Sequence, residues 1–136
     1  MESSKNFFDL FVWKKAHEFV LCVYKSCNSF PDFEQFGLRS QFTRAAVSIA
    51  ANIAEGYKKL SKKDKLHFFN ISQGSLEECK YYILLSRDLG YISNEDYTQL
   101  CSLAKETSKL LLLYIQGIQG NAFQDSQDQC LAPLQR

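Results

Sequence analysis

Two histidines, five cysteines and a row of polar side chains in an apolar segment are the residues of this chain that could do chemistry. The histidines, His17 and His67, are too few for a carboxylate-bridged metal site, which would also need Glu-x-x-His pairs. The sequence contains no H-E-x-x-H motif, no phosphate-binding glycine loop and no nucleophile elbow. We therefore expect a protein that is not an enzyme, with no catalytic residue, no metal and no cofactor.

The cysteines are expected to be reduced thiols that pack as small hydrophobic side chains. Their number is odd and their spacing fits no zinc-binding pattern such as C-x2-C. They are Cys22, Cys27, Cys79, Cys101 and Cys130. Residues 1–11 lack the basic start and apolar run of a signal peptide, and no segment reaches the ~18 continuous apolar residues of a membrane helix. A cytoplasmic protein without a membrane association is the resulting expectation.

The polar row lies in SQFTRAAVSIAANIAEGYKK, residues 40–59, and its members are Gln41, Arg44, Ser48, Asn52 and Glu55. On a helix these positions fall within an arc of roughly 80° beside the apolar arc. Short polar groups flanked by alanines suit a seam where another helix approaches closely. Glu78 lies at the edge of the inward arc of a later helix, so Arg44 or Asn52 could reach Glu78 or Glu55. We interpret the six residues as a structural polar network at a helix or subunit interface. A ligand or nucleic-acid contact and catalysis are the alternatives.

Lysines cluster in the segment KKLSKKDK and give the chain its most basic stretch. The net charge of +1 divides into +4 for residues 1–65 and −3 for residues 66–136. A solvated turn between helices would explain the cluster, but lysines in such a group also supply sequence-independent affinity for phosphates. The candidate nucleic-acid-binding residues are Lys58, Lys59, Lys62, Lys63 and Lys65.

Apolar residues recur at spacings of three and four in four segments, which is typical of amphipathic helices. The predicted helices span residues 9–28, 38–57, 62–89 and 94–118. Ser61 is expected to cap the third helix and Ser93 or Asn94 the fourth, while Gly90 follows the third as its C′ residue. Gly74 lowers helix propensity inside the third helix. We expect a close approach of another helix at Gly74.

Four amphipathic helices joined by short turns predict an all-α protein, an antiparallel up-down-up-down four-helix bundle. The bundle spans residues 9–119 and follows a lead-in of residues 1–8. Residues 120–136 are rich in Gln, Asp and Gly and are expected to be a flexible tail. The first helix carries a second apolar line, which predicts burial in a cyclic homo-oligomer. That line consists of Val12, Phe19, Val23 and Phe30.

Four stretches of the chain are similar to a known protein family. They are FDLFVWKKAHEFV, FPDFEQFGLRSQFTRAAVSIAANIAEGYKK, FNISQGSLEECKYYILLSRDLGYIS and the closing leucine-rich helix. In order and spacing they resemble the four-helix-bundle proteins of the 23S rRNA intervening-sequence family over about residues 7–118. The run L-R-S-Q-x-x-R-A-A-V-S-I-x-x-N-I-A-E-G carries most of the resemblance.

The resemblance implies a bundle that assembles into rings, typically pentamers, and it supplies no catalytic residue. A related group acts as the accessory variability determinant of diversity-generating retroelements, where it partners a reverse transcriptase and template RNA. The implied function is a non-enzymatic oligomeric scaffold that binds RNA, with a reverse transcriptase as candidate partner. In such a ring the lysine turn would repeat and form a basic rim. The alternative is a protein-interaction module of the same family without nucleic-acid binding.

Overall fold

The structure is a computed structural model that describes the backbone of residues 6–134 and the side chains of residues 6, 7 and 9–120. Its four helices are α1 (Phe11–Cys27), α2 (Leu38–Lys58), α3 (Lys62–Asp88) and α4 (Asn94–Leu134). Short 3₁₀ helices, Phe7–Asp9 and Asp32–Glu34, precede α1 and α2, and no β-strand occurs in the described backbone. Because residues 7–9 form their own 3₁₀ turn, α1 begins two residues later than predicted.

Side-chain caps and a left-handed glycine define the helix ends around the two short turns. Ser61 accepts a hydrogen bond from the Asp64 N–H at 3.1 Å, and Ser93 accepts one from the Asp96 N–H at 3.1 Å. Gly90 adopts φ +75°, and the Tyr91 N–H behind it donates to the Ser86 carbonyl at 2.9 Å. This 6→1 bond satisfies a carbonyl that the end of α3 leaves free. The predicted caps at Ser61 and Gly90 are thus confirmed.

Each helix packs against the two helices beside it, in the cyclic order α1, α2, α3, α4. In the described residues, diagonal helices bring no two Cα atoms within 8 Å of each other, and consecutive helices run in opposite directions because their connections are short. This arrangement confirms the predicted antiparallel up-down-up-down bundle. One end of the bundle carries the connection of residues 28–37 and the turn of residues 89–93. The other end carries the turn between α2 and α3.

The core is built mainly from large side chains that the four helices exclude completely from solvent. Phe19 of α1, Phe42 of α2 and Phe69 of α3 are fully buried, and the Phe69 ring meets Tyr114 of α4 edge-on with centroids 5.1 Å apart. The second apolar line of the first helix is also buried here, so the expectation that it faces a neighbouring subunit is wrong. Because α1 packs against both α2 and α4, the core of the monomer buries a wide apolar arc of α1 that includes this second line.

The two glycines of the α2–α3 pair lie in different surroundings. A Cβ added to Gly74 would meet no atom within 4 Å, so the close approach predicted there is wrong. At Gly56 an added Cβ would lie 2.7 Å from Cε1 of Phe69 and 2.9 Å from Cβ of Phe68. The helices therefore come closest beside their connecting turn, where Gly56 removes the side chain that would hold them apart.

At the end of the bundle opposite the α2–α3 turn, the Glu34 carboxylate links the α1–α2 connection to the α3–α4 turn. Glu34 accepts a hydrogen bond from the Leu38 N–H at 2.9 Å, which serves the start of α2. Its second oxygen accepts from the Tyr91 hydroxyl at 2.9 Å. The Phe30 and Tyr91 rings pack with centroids 5.2 Å apart. The α1–α2 connection and the α3–α4 turn are thereby held together.

Helical geometry is interrupted at Gly120, which has φ +68° and ψ −146°. The fourth helix was predicted to end at Ile118, two residues before this break. The side chains of residues 121–136 lie outside the described part of the structure. The flexibility of the tail over residues 120–136 therefore stays a prediction, as does the lead-in of residues 1–8.

Candidate functional site

Hydrogen-bonded polar side chains lie along the contact between α2 and α3, and we call them the polar seam. Near the start of α2, Tyr82 of α3 lies against Gln41 of α2. The Tyr82 hydroxyl lies 2.6 Å from Oε2 of Glu78 and 3.2 Å from Oε1 of Gln41. A single hydroxyl proton can be donated to one acceptor at a time, and the carboxylate is the nearer and stronger one. The bond to the Glu78 carboxylate, together with burial, raises the pKa of Tyr82 to about 12. At neutral pH the phenol is therefore neutral and donates to Glu78 of its own helix, while its oxygen lies 3.2 Å from Oε1 of Gln41 on α2.

The middle of the seam is a chain of hydrogen bonds among short side chains. Asn52 donates to the Ser48 carbonyl at 2.8 Å and to the Ser48 hydroxyl at 3.0 Å. The Ser75 hydroxyl of α3 donates to the Ser48 hydroxyl at 2.9 Å. One layer deeper, the buried Ser72 hydroxyl donates to the Ile49 carbonyl across the two helices at 2.9 Å. These bonds hold α2 and α3 in register.

Two members of the predicted network lie apart from the others. Arg44 and Glu55 are exposed, and neither forms a hydrogen bond or ion pair with another described residue. Glu78 is bound by Tyr82 and contacts neither Arg44 nor Asn52 in the way that the sequence suggested. Gln41, Ser48, Asn52 and Glu78 thus belong to the seam. Arg44 and Glu55 belong to the outward side of α2.

Sequence reasoning omitted the residues of α3 that complete the seam. Ser72, Ser75 and Tyr82 supply hydroxyl donors to α2, at spacings of three and seven along the helix. Ser75 is half-buried and Tyr82 is buried, so both lie on the inward arc of α3 among its packing residues. The signal was present: hydroxyls on that arc need partners when they are buried. An opposing helix rich in carbonyl and amide groups is where such partners lie.

The lysine turn, defined as residues 58–65, contains two kinds of lysine. Lys59 lies over the Phe68 ring, with Nζ 4.9 Å from the ring centroid. Lys65 donates to the Tyr57 carbonyl at 2.6 Å. These two ammonium groups secure the turn to its own helices, whereas Lys58, Lys62 and Lys63 are exposed.

No carboxylate neutralises the three exposed lysines in the described part of the chain. The ion pairs found there involve other residues: Lys15 with Glu18 and Glu106, Lys80 with Glu77, and Arg87 with Asp88. Glu55 and Asp64 are the nearest acidic residues in sequence. The turn therefore presents three unpaired ammonium groups at one end of the bundle, an arrangement that can attract a polyanion.

The thiols and histidines do not converge on a reactive centre. Cys22, Cys27 and Cys79 are buried, as predicted, and Cys101 is half-buried. Burial raises the pKa of Cys27 to about 12 and raises that of Cys79 further, which keeps both as thiols. Within the described residues, no three His, Cys, Asp or Glu side chains are grouped so that they could hold a metal ion. Cys130 lies outside the described side chains.

The fold and the hydrogen-bonded seam place this chain among the small four-helix-bundle proteins. The family model of the 23S rRNA-intervening sequence protein matches residues 8–112, and the chain belongs to that family. A crystal structure of a protein of unknown function from the S23 ribosomal protein family of Bacteroides thetaiotaomicron is similar, with a TM-score of 0.69 and 28% identity. The similarity covers 76% of this chain and 94% of that one. No functionally curated protein matches the chain.

Within the described residues, no helix combines the length and the apolar character needed to cross a membrane.

Proposed function

We propose that this protein is a non-enzymatic, oligomeric four-helix-bundle scaffold that binds RNA through the lysine turn in the cytoplasm. One observation carries the proposal: Lys58, Lys62 and Lys63 are exposed at one end of the bundle without a carboxylate partner among the described residues. Unpaired ammonium groups release counterions from a nucleic-acid backbone, which is the main source of sequence-independent affinity. The name of the family refers to ribosomal RNA and agrees with an RNA ligand.

Assembly into a cyclic homo-oligomer is the second part of the proposal. The outer α2 face, which consists of Arg44, Val47, Ala51 and Glu55, is exposed. Near Ala51 and Glu55 it borders a cleft that Asn6 and Phe7 also line. Small side chains let a second backbone approach closely, and Val47 offers an apolar contact with 42% exposure. Arg44 and Glu55 provide one charge of each sign, so Arg44 of one protomer can pair with Glu55 of the next protomer of a ring.

Oligomerisation also explains how a chain with a net charge of +1 could bind a polyanion. In a ring, every protomer contributes its own lysine turn to the same rim. The local charge of the rim therefore grows with the number of protomers. A pentamer is what the resemblance implies for the number of copies.

The test of RNA binding compares two variants with the same change in charge. Lys62→Glu/Lys63→Glu reverses two exposed lysines of the turn, and Lys105→Glu/Lys109→Glu reverses two exposed lysines of α4. Glutamate is tolerated at the first positions of α3, because a helix N-terminus favours negative charge. At about 50 mM salt, the turn variant should lose at least about tenfold in affinity for a labelled RNA.

The α4 variant is the matched control and should bind RNA nearly as well as the wild-type protein. Equal losses in both variants would mean that net charge, rather than the lysine turn, governs binding. Binding that is unchanged in the turn variant would refute the assignment of the site. Circular dichroism of both variants checks that the bundle stays folded.

A protein-interaction module is the second candidate function, and one observation favours it. Phe33 and Phe36 in the α1–α2 connection are 78% and 88% exposed, at the end of the bundle opposite the lysine turn. Exposed aromatic side chains are typical anchors of protein interfaces. By the resemblance, a reverse transcriptase is the candidate partner. A partner that co-purifies after nuclease treatment, and that Phe33→Ser/Phe36→Ser releases, would support this function.

A further inference from the structure

A polar groove lies between α3 and α4 at the same end of the bundle as the lysine turn. Its volume is about 360 Å³, and it is open to solvent along one side. The lining residues are Leu66, His67, Asn70, Gln73, Ile115 and Gln119. The residues of α3 among them recur at spacings of three and four, so they follow one side of that helix. None of the six belongs to the α2–α3 seam.

The groove contains polar groups whose hydrogen-bonding capacity is unused. His67 and Asn70 are exposed and Gln73 is half-buried, and none of the three donates or accepts a side-chain hydrogen bond within the described residues. Oε1 of Gln119 is buried and has no partner at all in the described structure. A buried acceptor without a donor is costly, and such groups in folded proteins usually await water, an ion or a ligand. The unpaired oxygen thus points to an occupant with a hydrogen-bond donor.

The walls of the groove combine this polarity with apolar surface. Leu66 packs partly on the core and Ile115 is buried, so both present aliphatic surface to the groove. Asn70 and Gln73 each carry a donor and an acceptor at the end of the side chain. A flat group with apolar faces and a donor–acceptor edge matches such a lining. A nucleobase has this combination, and unpaired RNA bases are recognised through stacking and through their exposed edges.

Lys62 and Lys63 lie four residues before Leu66 and His67 on α3, a distance of about 6 Å along the helix axis. Both lysines are exposed. We propose that the groove receives one unpaired base of single-stranded RNA while Lys62 and Lys63 contact the adjoining phosphates. This inference rests on the proposed RNA-binding function. It restricts the RNA ligand to single strands, because a base held in a duplex cannot enter the groove.

The experiment measures the affinity of the full chain for two labelled probes. One is a single-stranded oligoadenylate of about twelve nucleotides, and the other is an RNA duplex of the same length. Asn70→Ala/Gln73→Ala should weaken binding of the single strand about tenfold, which corresponds to the loss of two ordinary hydrogen bonds. Duplex binding should not change. Thr98→Ala/Gln99→Ala, on an exposed surface of α4 near its start, is the matched control and should leave both affinities unchanged.

A second measurement does not depend on the lysines. Addition of adenosine, which carries no phosphate, should shift the NMR signals of the His67 ring in the wild-type protein, and less so in Asn70→Ala/Gln73→Ala. If the variant binds single strands and duplexes as the wild type does, while Lys62→Glu/Lys63→Glu loses both, the groove inference is overturned and the RNA-binding proposal stands. If the wild type binds neither probe and the His67 signals do not move, both proposals fail.

Discussion

The backbone of Gly56 lies so close to the Phe69 ring that no side chain fits between them. A Cβ at this position would come within 2.7 Å of Cε1 of Phe69. Phe69 is fully buried and packs edge-on against Tyr114, so its ring has little room to move away. The contact couples the end of α2 to the core beside the lysine turn. A change at Gly56 should therefore alter both stability and the shape of that turn.

Substitution of alanine at the two glycines of the α2–α3 pair should have opposite effects. Gly56→Ala forces a methyl group against Phe68 and Phe69, and overpacking of this kind costs about 1–3 kcal/mol of unfolding free energy. Gly74→Ala enters open space on an exposed helix face and should stabilise the protein by about 0.5–1 kcal/mol. Urea unfolding of the two variants gives both values. Stabilisation by Gly56→Ala would contradict the observed packing.

Substitution of alanine at two buried serines of α3 should also have different effects on stability. Ser72 donates to the Ile49 carbonyl, whereas the buried Ser86 hydroxyl has no partner in the described structure. Ser72→Ala should destabilise the protein by about 1 kcal/mol, because the buried hydrogen bond between α3 and the Ile49 carbonyl is lost. Ser86→Ala removes an unsatisfied group, so unfolding free energy should stay equal or rise. A loss at Ser86 as large as that at Ser72 would argue against the assigned hydrogen bonds.

The sequence was sufficient to predict the helices, their order and two caps, because hydrophobic periodicity and cap residues act locally. Of the predicted network, Ser48 and Asn52 take part in the hydrogen bonds toward α3, whereas Arg44 and Glu55 are exposed on the outward side of α2. The sequence did not predict which polar residues pair, since Ser48 and Ser75 are 27 residues apart and their contact depends on the relative height of two helices. The same reason explains the glycines: whether Gly74 or Gly56 faces a neighbouring backbone depends on helix crossing, which periodicity does not specify.

The raised pKa of Tyr82 predicts a loss of stability at high pH. An unfolded tyrosine has a pKa near 10, and the folded value is about 12. The stability that the Tyr82–Glu78 hydrogen bond contributes is therefore complete below about pH 10 and is lost as the pH rises toward about 12. We expect the unfolding free energy of the wild type to fall over this range more steeply than that of Tyr82→Phe. Glu78→Gln should lower the Tyr82 titration midpoint, which tyrosine Cζ NMR signals report.

Equal pH dependence in the wild type and Tyr82→Phe would show that the hydroxyl is not held by the Glu78 carboxylate. The comparison with phenylalanine is needed because Tyr91 and Tyr114 also have a raised pKa, through burial in the first place, and titrate in the same direction. The difference between the two proteins isolates the one hydroxyl that differs between them.

The outer α2 face makes the proposed oligomer testable by an exchange of charges. Arg44 and Glu55 are three turns apart, about 16 Å along the helix, and carry opposite charges without partners among the described residues. If Arg44 of one protomer pairs with Glu55 of the next, Arg44→Glu should shift the protein toward monomers. Glu55→Arg should do the same, since each change places like charges across the interface.

The double variant Arg44→Glu/Glu55→Arg should restore the wild-type mass in native mass spectrometry. Because both positions are exposed, thermal unfolding of a monomeric variant should stay cooperative. Failure of the double variant to reassemble, or unchanged assembly in both single variants, would exclude this pairing.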